Sequence, residues 1–293
     1  MVLKCGLWHC PQRENRRFFF RVCMWARELR NLEPMGSLFT DFCMQSERAR
    51  AGSVMPKRRR RAAWLVMRVA TAFFRLARNP VEAIADDKVW RDWEVNCFRL
   101  LHGPDFTAGV DEGGTPFVSV LPGVDLSRHL AAGTLLPAHL TAAGEELRRA
   151  HGFHSPHHGG GWSHGDSHTG NFLFDAATGR ARLVDFEMRH HRDLPEPRRH
   201  ADDLLVMLQD VCGRCGAGEW LPLAEAFLAG YGRREIITLL DDLMKVPRGV
   251  PRVWWAVRTS WMLRGELERR VAALRASLFH GCNKQGRGVL LPA

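Results

Sequence analysis

Three oxygen-bearing side chains stand at spacings that could support chemistry: Asp166, Asn171 and Asp185. Asp166 and Asn171 are five residues apart in a glycine- and histidine-rich loop, and Asp185 comes fourteen residues after Asn171. If the chain between Asn171 and Asp185 folds as a hairpin, both residues lie at its open end, which we call the mouth of the hairpin, because paired strands set facing residues about 5 Å apart. Two oxygen ligands there, with Glu187 beside them, suit a hard cation such as Mg²⁺ bound to substrate phosphates. The spacing therefore favours phosphoryl transfer, which depends mainly on positioning and charge neutralisation.

The elements around these residues follow from hydrophobic spacing and turn residues. One hairpin is predicted over 106–110 and 116–121, and a second over 172–174 and 181–186, with the glycine- and histidine-rich loop 151–170 before it. Periodic apolar positions predict helices over 62–78, 81–102, 126–131, 137–151, 199–211, 219–231, 234–244, 251–263 and 265–279. Helices grouped around two small hairpins predict an α+β fold, because a parallel sheet would need alternating strands and helices.

The motif His-Gly-Asp-x-His-x-x-Asn at 164–171, followed by strand, turn, strand and Asp-Phe-Glu at 185–187, resembles one branch of the protein-kinase-like superfamily. This is the small-molecule branch, of the aminoglycoside phosphotransferase, choline kinase and lipopolysaccharide Kdo-heptose kinase type. The resemblance implies a two-lobe fold. It divides the chain into a basic, poorly structured leader (1–61), a reduced N-terminal lobe of one helix plus a β-hairpin (62–122), and a mostly helical C-terminal lobe with the catalytic loop (123–293).

The same resemblance implies roles in the catalytic loop. Asp166 would be the catalytic base that orients the acceptor hydroxyl, and Asn171 and Asp185 would hold Mg²⁺ and so bind ATP. His164 would brace the loop, and His168 is a further catalytic candidate. Residues implied to fix this loop from the next helix are Arg199 and either Asp202 or Asp203.

Nucleotide-binding residues are also implied by the resemblance. The strand 117–123 is similar to the hinge whose backbone receives adenine, which makes Val120 and Leu121 candidate ATP contacts. Glu94, on the helix before the first hairpin, is similar to the glutamate that forms an ion pair with a lysine near the phosphates.

Two departures from the family pattern keep a second hypothesis open. No Gly-x-Gly-x-x-Gly loop precedes the first hairpin, and no strand lysine stands at the usual distance before Glu94. Lys57 is assigned to a basic run at 57–61 and Lys88 to the helix of Glu94 itself. Arg75 or Arg78 would then substitute, although a guanidinium does not copy an ammonium group. The alternative function is a catalytically degenerate pseudokinase acting as a binding or scaffold module.

The segment after Asp-Phe-Glu predicts the kind of acceptor. Eleven residues, 188–198, separate it from the next predicted helix. This is too short for the peptide-binding platform of protein kinases. A small-molecule, sugar or glycolipid acceptor, of lipopolysaccharide type, is therefore expected.

Composition and charge limit the possible partners. The 293 residues are 45% hydrophobic and 25% charged, which is typical of globular proteins. The net charge of +10 is concentrated in residues 1–80, with 17 Lys and Arg against 5 Asp and Glu, so no nucleic-acid partner is expected for the body of the chain. The strong preference for arginine over lysine is typical of GC-rich, bacterial coding.

The basic run 57–61 and the apolar stretch 62–74 allow two interpretations. One is a basic amphipathic helix lying on an anionic membrane surface, which implies a cytoplasmic protein at the membrane face. The other is the first helix of the fold behind a solvated arginine run. Residues 1–54 have aperiodic composition and are interpreted as a translated upstream stretch with no packed role.

Cysteines and histidines outside the motif are given structural interpretations. Cys212 and Cys215 are predicted to be reduced thiols in a loop, because no second close pair completes a zinc site. A zinc knuckle among Cys5, His9, Cys10, Cys23 and Cys43 is a weaker hypothesis. Histidines predicted to face solvent are His151, His154, His157, His158, His190 and His191.

Overall fold

The computed structural model describes residues 44–45, 54–59 and 63–280. The helices are α1 (Ala63–Leu76), α2 (Asp87–His102), α3 (Leu126–Ala131), α4 (Pro137–His151), α5 (Glu196–Arg214), α6 (Trp220–Tyr231), α7 (Arg234–Ile237), α8 (Leu240–Leu243), α9 (Val250–Arg258) and α10 (Arg264–Arg275). The strands are β1 (Met44–Gln45), β2 (Val54–Pro56), β3 (Arg58–Arg59), β4 (Val81–Ala83), β5 (Ala108–Val110), β6 (Pro116–Ser119), β7 (Val124–Asp125), β8 (His154–Ser155), β9 (Gly160–Gly161), β10 (Phe172–Asp175), β11 (Arg180–Leu183) and β12 (Met188–His190). The fold is mixed α+β with small sheets, as the sequence predicts.

The first predicted hairpin forms as β5 and β6, and β2 pairs with the other side of β6 to give a three-stranded antiparallel sheet in the order β2-β6-β5. Val118 faces Ala108 on one side and Met55 on the other. The turn between β5 and β6 is closed by Asp111, whose side chain accepts a hydrogen bond from the backbone N–H of Thr115 at 2.7 Å. Helix α2 packs against this sheet and the segments beside it. Its buried side chains recur three and four residues apart: Trp90, Glu94, Val95, Cys97, Phe98, Leu101 and His102.

The second predicted hairpin also forms, as β10 and β11, with β7 added at the edge of β10. Its register pairs Phe172 with Leu183 and Asp175 with Arg180. The Asp175 carboxylate accepts the Thr178 hydroxyl at 2.8 Å and so stabilises the turn. This register fixes the relative position of the two chain segments that carry Asn171 and Asp185.

Helices α4, α5 and α6 supply nearly half of the buried residues of the main hydrophobic core. Helices α4 and α6 cross closely, because glycine stands at the contact on both sides. A Cβ atom placed on Gly144 would lie 2.2 Å from the backbone oxygen of Phe227, and one on Gly230 would lie 2.2 Å from that of Thr141. The closeness of the two backbones therefore requires glycine at both positions.

The helix predicted over 81–102 is wrong at its start. Val81–Ala83 is a strand that pairs antiparallel with Met188–His190, and α2 begins only after Asp86, whose carboxylate accepts the Val89 N–H at 2.8 Å. Val81 and Ala83 are buried while Glu82 points away from them, so the local period is two and not 3.6. The helix predicted over 234–244 is likewise divided, into α7 and α8.

Residues 54–59 also differ from the expectation of a poorly structured leader ending at residue 61. Val54–Pro56 pairs with β6, and Arg58–Arg59 pairs with Met44–Gln45. The predicted boundary at 61 therefore falls after residues that already belong to a sheet. The zinc-knuckle hypothesis lies outside the described residues. Over the ranges given above, no helix is both long and apolar enough to cross a membrane.

Candidate active site

Lys57 and Glu94 form a buried ion pair that the sequence analysis missed. The Lys57 ammonium donates a hydrogen bond to Glu94 Oε1, and it lies 3.8 Å from Asp185 Oδ1. Burial alone would lower the pKa of Lys57, but the Glu94 and Asp185 carboxylates outweigh it and raise that pKa above its ordinary value. Lys57 therefore stays charged at neutral pH.

The assignment of Lys57 to a solvated arginine run is wrong, and so is the expectation that Arg75 or Arg78 substitutes for a missing lysine. Lys88 lies on the helix of Glu94, as predicted. Lys57 leaves the end of β2 and points inward, with its side chain 11% exposed. One signal for this was present in the sequence. Lys57 directly follows Val54-Met55-Pro56, which has the composition of a short strand, in a chain with only five lysines.

Glu94 joins the lysine to the segment that carries Asp185. Its side chain is fully buried, and its second oxygen, Oε2, accepts the backbone N–H of Phe186 at 3.0 Å. Asp185 itself has φ +67°, a left-handed conformation that is uncommon for a residue with a side chain. The Glu94 contact to the next residue helps to hold this turn in place.

The loop with the predicted catalytic residues is held from below by one carboxylate of α5. Asp203 accepts the backbone N–H groups of His164 and Gly165, both at 2.8 Å, while the Ser167 hydroxyl donates to the Asp203 backbone oxygen at 2.6 Å. Burial alone would raise the pKa of Asp203, but neighbouring histidines and donors hold it well below its usual range. Asp203 is therefore the residue of α5 that fixes this loop.

The far end of the same loop is held one heptad further along α5. Asp210 accepts the backbone N–H of Thr169 at 3.0 Å and its hydroxyl at 2.5 Å. Residues seven apart lie on the same face of a helix. Asp203 and Asp210 thus present two carboxylates to one loop.

The two other α5 residues proposed as loop supports act nearby. Arg199 donates to the backbone oxygens of Leu194, in the connection before α5, at 2.5 Å and of Gly161, which precedes the loop, at 2.9 Å. Asp202 lies 3.3 Å from His190 Nε2. Neither makes a contact to 164–171 comparable to those of Asp203.

His164 links the loop to the strand end at Val184. Its Nε2 lies 3.1 Å from the Val184 oxygen, and its Nδ1 accepts the N–H of Asp166 at 3.2 Å. Because Val184 precedes Asp185, His164 couples the positions of Asp166 and Asp185. This contact pattern is that of a brace.

Asp166 and His168 lie side by side at the surface of the site. Their side chains are 27% and 21% exposed, and Asp166 Oδ2 lies 3.7 Å from His168 Nε2. His168 Nδ1 accepts the N–H of Gly170 at 3.0 Å, so its other nitrogen is the one turned toward Asp166.

Asn171 and Asp185 meet at the mouth of the second hairpin. The Asn171 amide donates to the Asp166 backbone oxygen at 2.8 Å, and the Val184 N–H donates to the Asn171 backbone oxygen at 3.0 Å. The Asp185 Oδ1 atom is buried and has no hydrogen-bond donor among the described residues, although the Lys57 ammonium is 3.8 Å away. A buried carboxylate oxygen of this kind is what a bound cation would satisfy.

Glu187 is a third acid beside these groups. It is 7% exposed, and its Oε1 has no hydrogen-bond partner in the part of the chain that the structure describes. Burial and the neighbouring Asp185 carboxylate raise the pKa of Glu187 well above its usual range. Among the described residues, no group of three or more His, Cys, Asp or Glu side chains is arranged to hold a metal ion by itself.

Val120 and Leu121 follow β6 directly and lead into a close backbone contact. Leu121 is buried, and Val120 is half-buried. A Cβ atom on Gly123, which has φ +121°, would lie 2.6 Å from the Phe174 oxygen. The adenine role of Val120 and Leu121 stays a prediction.

The solvent-facing prediction is wrong for three histidines, because His151, His158 and His190 are buried. His151 Nε2 lies 3.0 Å from Asp203, and its Nδ1 lies 2.9 Å from the Tyr231 hydroxyl. A carboxylate can only accept, so His151 donates from Nε2 and accepts from Tyr231. His151 therefore stabilises Asp203, the residue that fixes the loop 164–171.

Cys212 and Cys215 are free and buried, at the end of α5. Burial raises the pKa of the Cys212 thiol to about 12 and that of Cys215 to about 11. Arg270 donates to the backbone oxygens of both residues at 2.9 Å. This segment is a helix end packed against α10.

Comparison with known proteins adds little to this geometry. No protein-family model matches the chain, and no curated protein matches it at the sequence level. Among solved structures, it is similar to an ethanolamine kinase from Plasmodium vivax, with 9% identity and a TM-score of 0.41 over 83% of this chain and 85% of that one. A likeness of this size carries no argument about activity.

Proposed function

We propose that this chain is an ATP- and Mg²⁺-dependent phosphotransferase that acts on a hydroxyl of a small-molecule, sugar or glycolipid acceptor. The observation that carries the proposal is the convergence of Lys57, Glu94 and Asp185 beside the loop with Asp166 and Asn171. These residues come from segments up to 128 positions apart (57 to 185). Phosphoryl transfer needs such a set, because it relies on fixed charges placed around a polyphosphate.

Lys57 supplies the fixed positive charge. Glu94 orients the ammonium group, and Asp185 lies close enough to share it. A lysine held between two carboxylates in a buried position keeps its proton and can bind phosphate oxygens as a point charge.

Asn171 and Asp185 fit a hard divalent cation. Both offer oxygen atoms. Asp185 Oδ1 is buried, has no hydrogen-bond donor among the described residues and lies 3.8 Å from the Lys57 ammonium. Mg²⁺ prefers one or two protein oxygens together with water and substrate phosphates, and when bound it neutralises negative charge on the phosphates. The described residues are consistent with that arrangement.

Asp166 is the group that would accept the proton of the acceptor hydroxyl at a carboxylate oxygen. It is partly exposed, and the backbone on both sides of it is fixed by His164, Asn171 and Asp203. A base held in this way loses little entropy when it orients a nucleophile.

The acceptor is proposed to be small because the chain after Glu187 is short and already paired. Residues 188–190 are occupied as strand β12 by pairing with β4, and α5 begins at Glu196. Five residues, 191–195, remain between them. This connection leaves no extended platform for a peptide.

A second candidate is a folded binding module without catalysis. One specific observation favours it: residues 46–53, between β1 and β2, contain a single glycine, Gly52. A glycine-rich phosphate loop uses several glycines so that the backbone can approach the phosphates.

The proposal is tested by thermal unfolding with ATP and Mg²⁺, with ATP and a chelator, and with Mg²⁺ alone. A ligand at a hundred times its Kd stabilises by about 2.7 kcal/mol, which corresponds to roughly 5–10 °C for a domain of this size. Basal ATP hydrolysis is measured in parallel. Asp185→Asn should lose the Mg²⁺-dependent shift, and Asp166→Asn should keep the shift but lose turnover.

Asp193→Asn is the matched control, because Asp193 is exposed in the connection before α5 and changes the net charge equally. It should retain both the shift and the turnover. No shift at millimolar ATP with folded protein would exclude the phosphotransferase proposal. A shift without turnover, unchanged in Asp166→Asn, would favour the binding module.

A further inference from the structure

Helix α1 has one face against the protein and one face that no described residue covers. The inner face packs on β4 and α9, with Phe74 4.7 Å from the Trp254 ring and the Thr71 hydroxyl donating to the Ala83 oxygen at 3.1 Å. The opposite side, which we call the outer face of α1, is exposed although most of it is apolar: Trp64 (47%), Leu65 (52%), Arg68, Val69 (62%), Ala72, Arg75 and Leu76 (61%).

These exposed side chains are sorted around the helix. At 100° per residue, the two arginines fall on the flank that also carries Trp64, while Leu65, Val69 and Leu76 fall on the other flank. The Arg68 guanidinium lies 5.5 Å above the Trp64 ring. Leu65, Val69 and Leu76 thus place three exposed large apolar side chains on one flank of a single helix, and exposed apolar patches often mark interaction surfaces.

The positive charge on and around α1 indicates that the partner of its outer face is negatively charged. Between Glu47 and Glu82 the chain has ten Lys and Arg residues and no Asp or Glu, so α1 contains no acidic residue. Arg58, Arg68, Arg75 and Arg78 are exposed among them. A second copy of the same face would bring arginine against arginine, whereas a surface of lipid phosphates offers negative charge to every one of them.

We propose that the outer face of α1 docks on an anionic membrane surface. The helix would lie in the plane of the interface, with Leu65, Val69 and Leu76 at the acyl boundary and Arg68 and Arg75 at the phosphates. Its 14 residues are about 21 Å long, less than the roughly 30 Å hydrocarbon thickness, so it lies on the bilayer and does not cross it.

The position of α1 gives this docking a consequence for the candidate site. The helix is tied to β4, and β4 pairs with β12 immediately after Glu187. A membrane under α1 would therefore be connected through α1 and β4 to the strand that follows the Asp-Phe-Glu segment. The inference itself does not depend on the proposed activity, because membrane binding is measured without ATP.

The test is flotation of the whole chain with vesicles of phosphatidylcholine alone and with vesicles that also contain phosphatidylglycerol. Binding is expected only to the second kind and should weaken at high salt. Arg68→Glu/Arg75→Glu should reduce the partition coefficient at least about 30-fold, since each basic residue near such a surface contributes roughly fivefold. Leu65→Glu/Val69→Glu should abolish binding.

Matched controls separate this face from general charge and hydrophobicity. Arg234→Glu/Arg248→Glu makes the same charge change at exposed positions elsewhere, and Leu263→Glu alters a leucine that is 80% exposed. Both should bind like the unaltered protein. Thermal unfolding confirms that each variant is folded, which is expected because every altered side chain is exposed.

Three results would overturn the proposal. The first is equal vesicle binding by the α1 variants and the control variants. The second is binding to phosphatidylcholine vesicles that salt does not weaken. The third is a mass that increases with protein concentration and no longer does so in Leu65→Glu/Val69→Glu. The last would make the face an interface between copies of this chain. A failed ATP shift with intact vesicle binding would reject the phosphotransferase proposal and leave this one standing.

Discussion

Lowering the pH from about 7.5 to about 5 should destabilise this protein strongly, because several histidines are buried in the neutral form. His102, His158 and His200 have folded-state pKa values of about 4, about 3 and about 2. Burial is the largest cause for all three. For His200, the neighbouring His151 and Arg233 add to the effect.

The contacts of His200 show why its ring stays neutral. Its Nε2 lies 3.0 Å from the Trp162 backbone oxygen and therefore donates, while its Nδ1 faces the Arg233 guanidinium at 3.3 Å. The ring also stacks on His151 at 3.8 Å. A second proton would have to point at an arginine, so protonation requires the site to open.

The sign and the size follow from the ordinary histidine pKa of about 6.5 in the unfolded chain. Between about pH 6.5 and the folded pKa, the unfolded state binds a proton that the folded state does not, so stability falls as the pH falls. Each histidine contributes about 1.4 kcal/mol per pH unit in this window. From pH 6.5 to 5 this is about 2 kcal/mol each and about 6 kcal/mol for three, as an upper bound, against a typical total of 5–15 kcal/mol.

The assay is urea unfolding followed by tryptophan fluorescence at several pH values between about 7.5 and 5. His200→Gln should reduce the slope of stability against pH below 6.5 by up to about 1.4 kcal/mol per pH unit, since it removes one buried neutral histidine. His154→Gln, at an exposed position, should leave the slope unchanged. A wild-type slope below about 1 kcal/mol per pH unit, or no difference between the two variants, would refute the argument.

Two further predictions concern the core and the loop support. Gly144→Ala should lower the free energy of unfolding, measured by urea titration, by about 1–3 kcal/mol or more, because its Cβ would lie 2.2 Å from the Phe227 backbone oxygen. In the control Gly218→Ala the added methyl group enters open space, so the free energy of unfolding should change by less than about 0.5 kcal/mol. Asp203→Ala should lower the free energy of unfolding by about 3–5 kcal/mol in the same assay, because two backbone N–H groups and His151 lose their buried acceptor. Asp193→Ala, at an exposed position, should have little effect. Equal urea midpoints for the two variants would contradict this prediction.

Local signals were sufficient for much of the fold. The two hairpins form where turn residues separate alternating strands, and α4 spans the predicted 137–151 because Pro137 starts it and apolar residues repeat on one side. The convergence of Asn171 and Asp185 at one mouth also follows from a short hairpin, whose register is set locally. These features depend on neighbours in sequence, which a pattern can show.

The features that the sequence did not show depend on distant partners. Lys57 meets Glu94 across 37 positions, and the strand-like residues Val54-Met55-Pro56 before it do not show which distant side chain it would pair with. Val81–Ala83 is too short for its alternation to stand out from the helix after it, and its partner strand lies more than a hundred residues away. His151 ends α4 and His190 ends β12, and both are buried where they meet distant residues of α5, Asp203 at 3.0 Å and Asp202 at 3.3 Å.

The pairing of Val81–Ala83 with Met188–His190 limits how the protein can move. Val81–Ala83 lies in the chain segment between Lys57 and α2, while its partner strand Met188–His190 follows the hairpin that leads to Asp185. Moving Lys57 away from Asp185 by a hinge would have to break this ladder or bend the chain between Lys57 and α2. Hydrogen exchange at these six residues should therefore report on such a movement, and a bound molecule that holds Lys57 and Asp185 together should slow it.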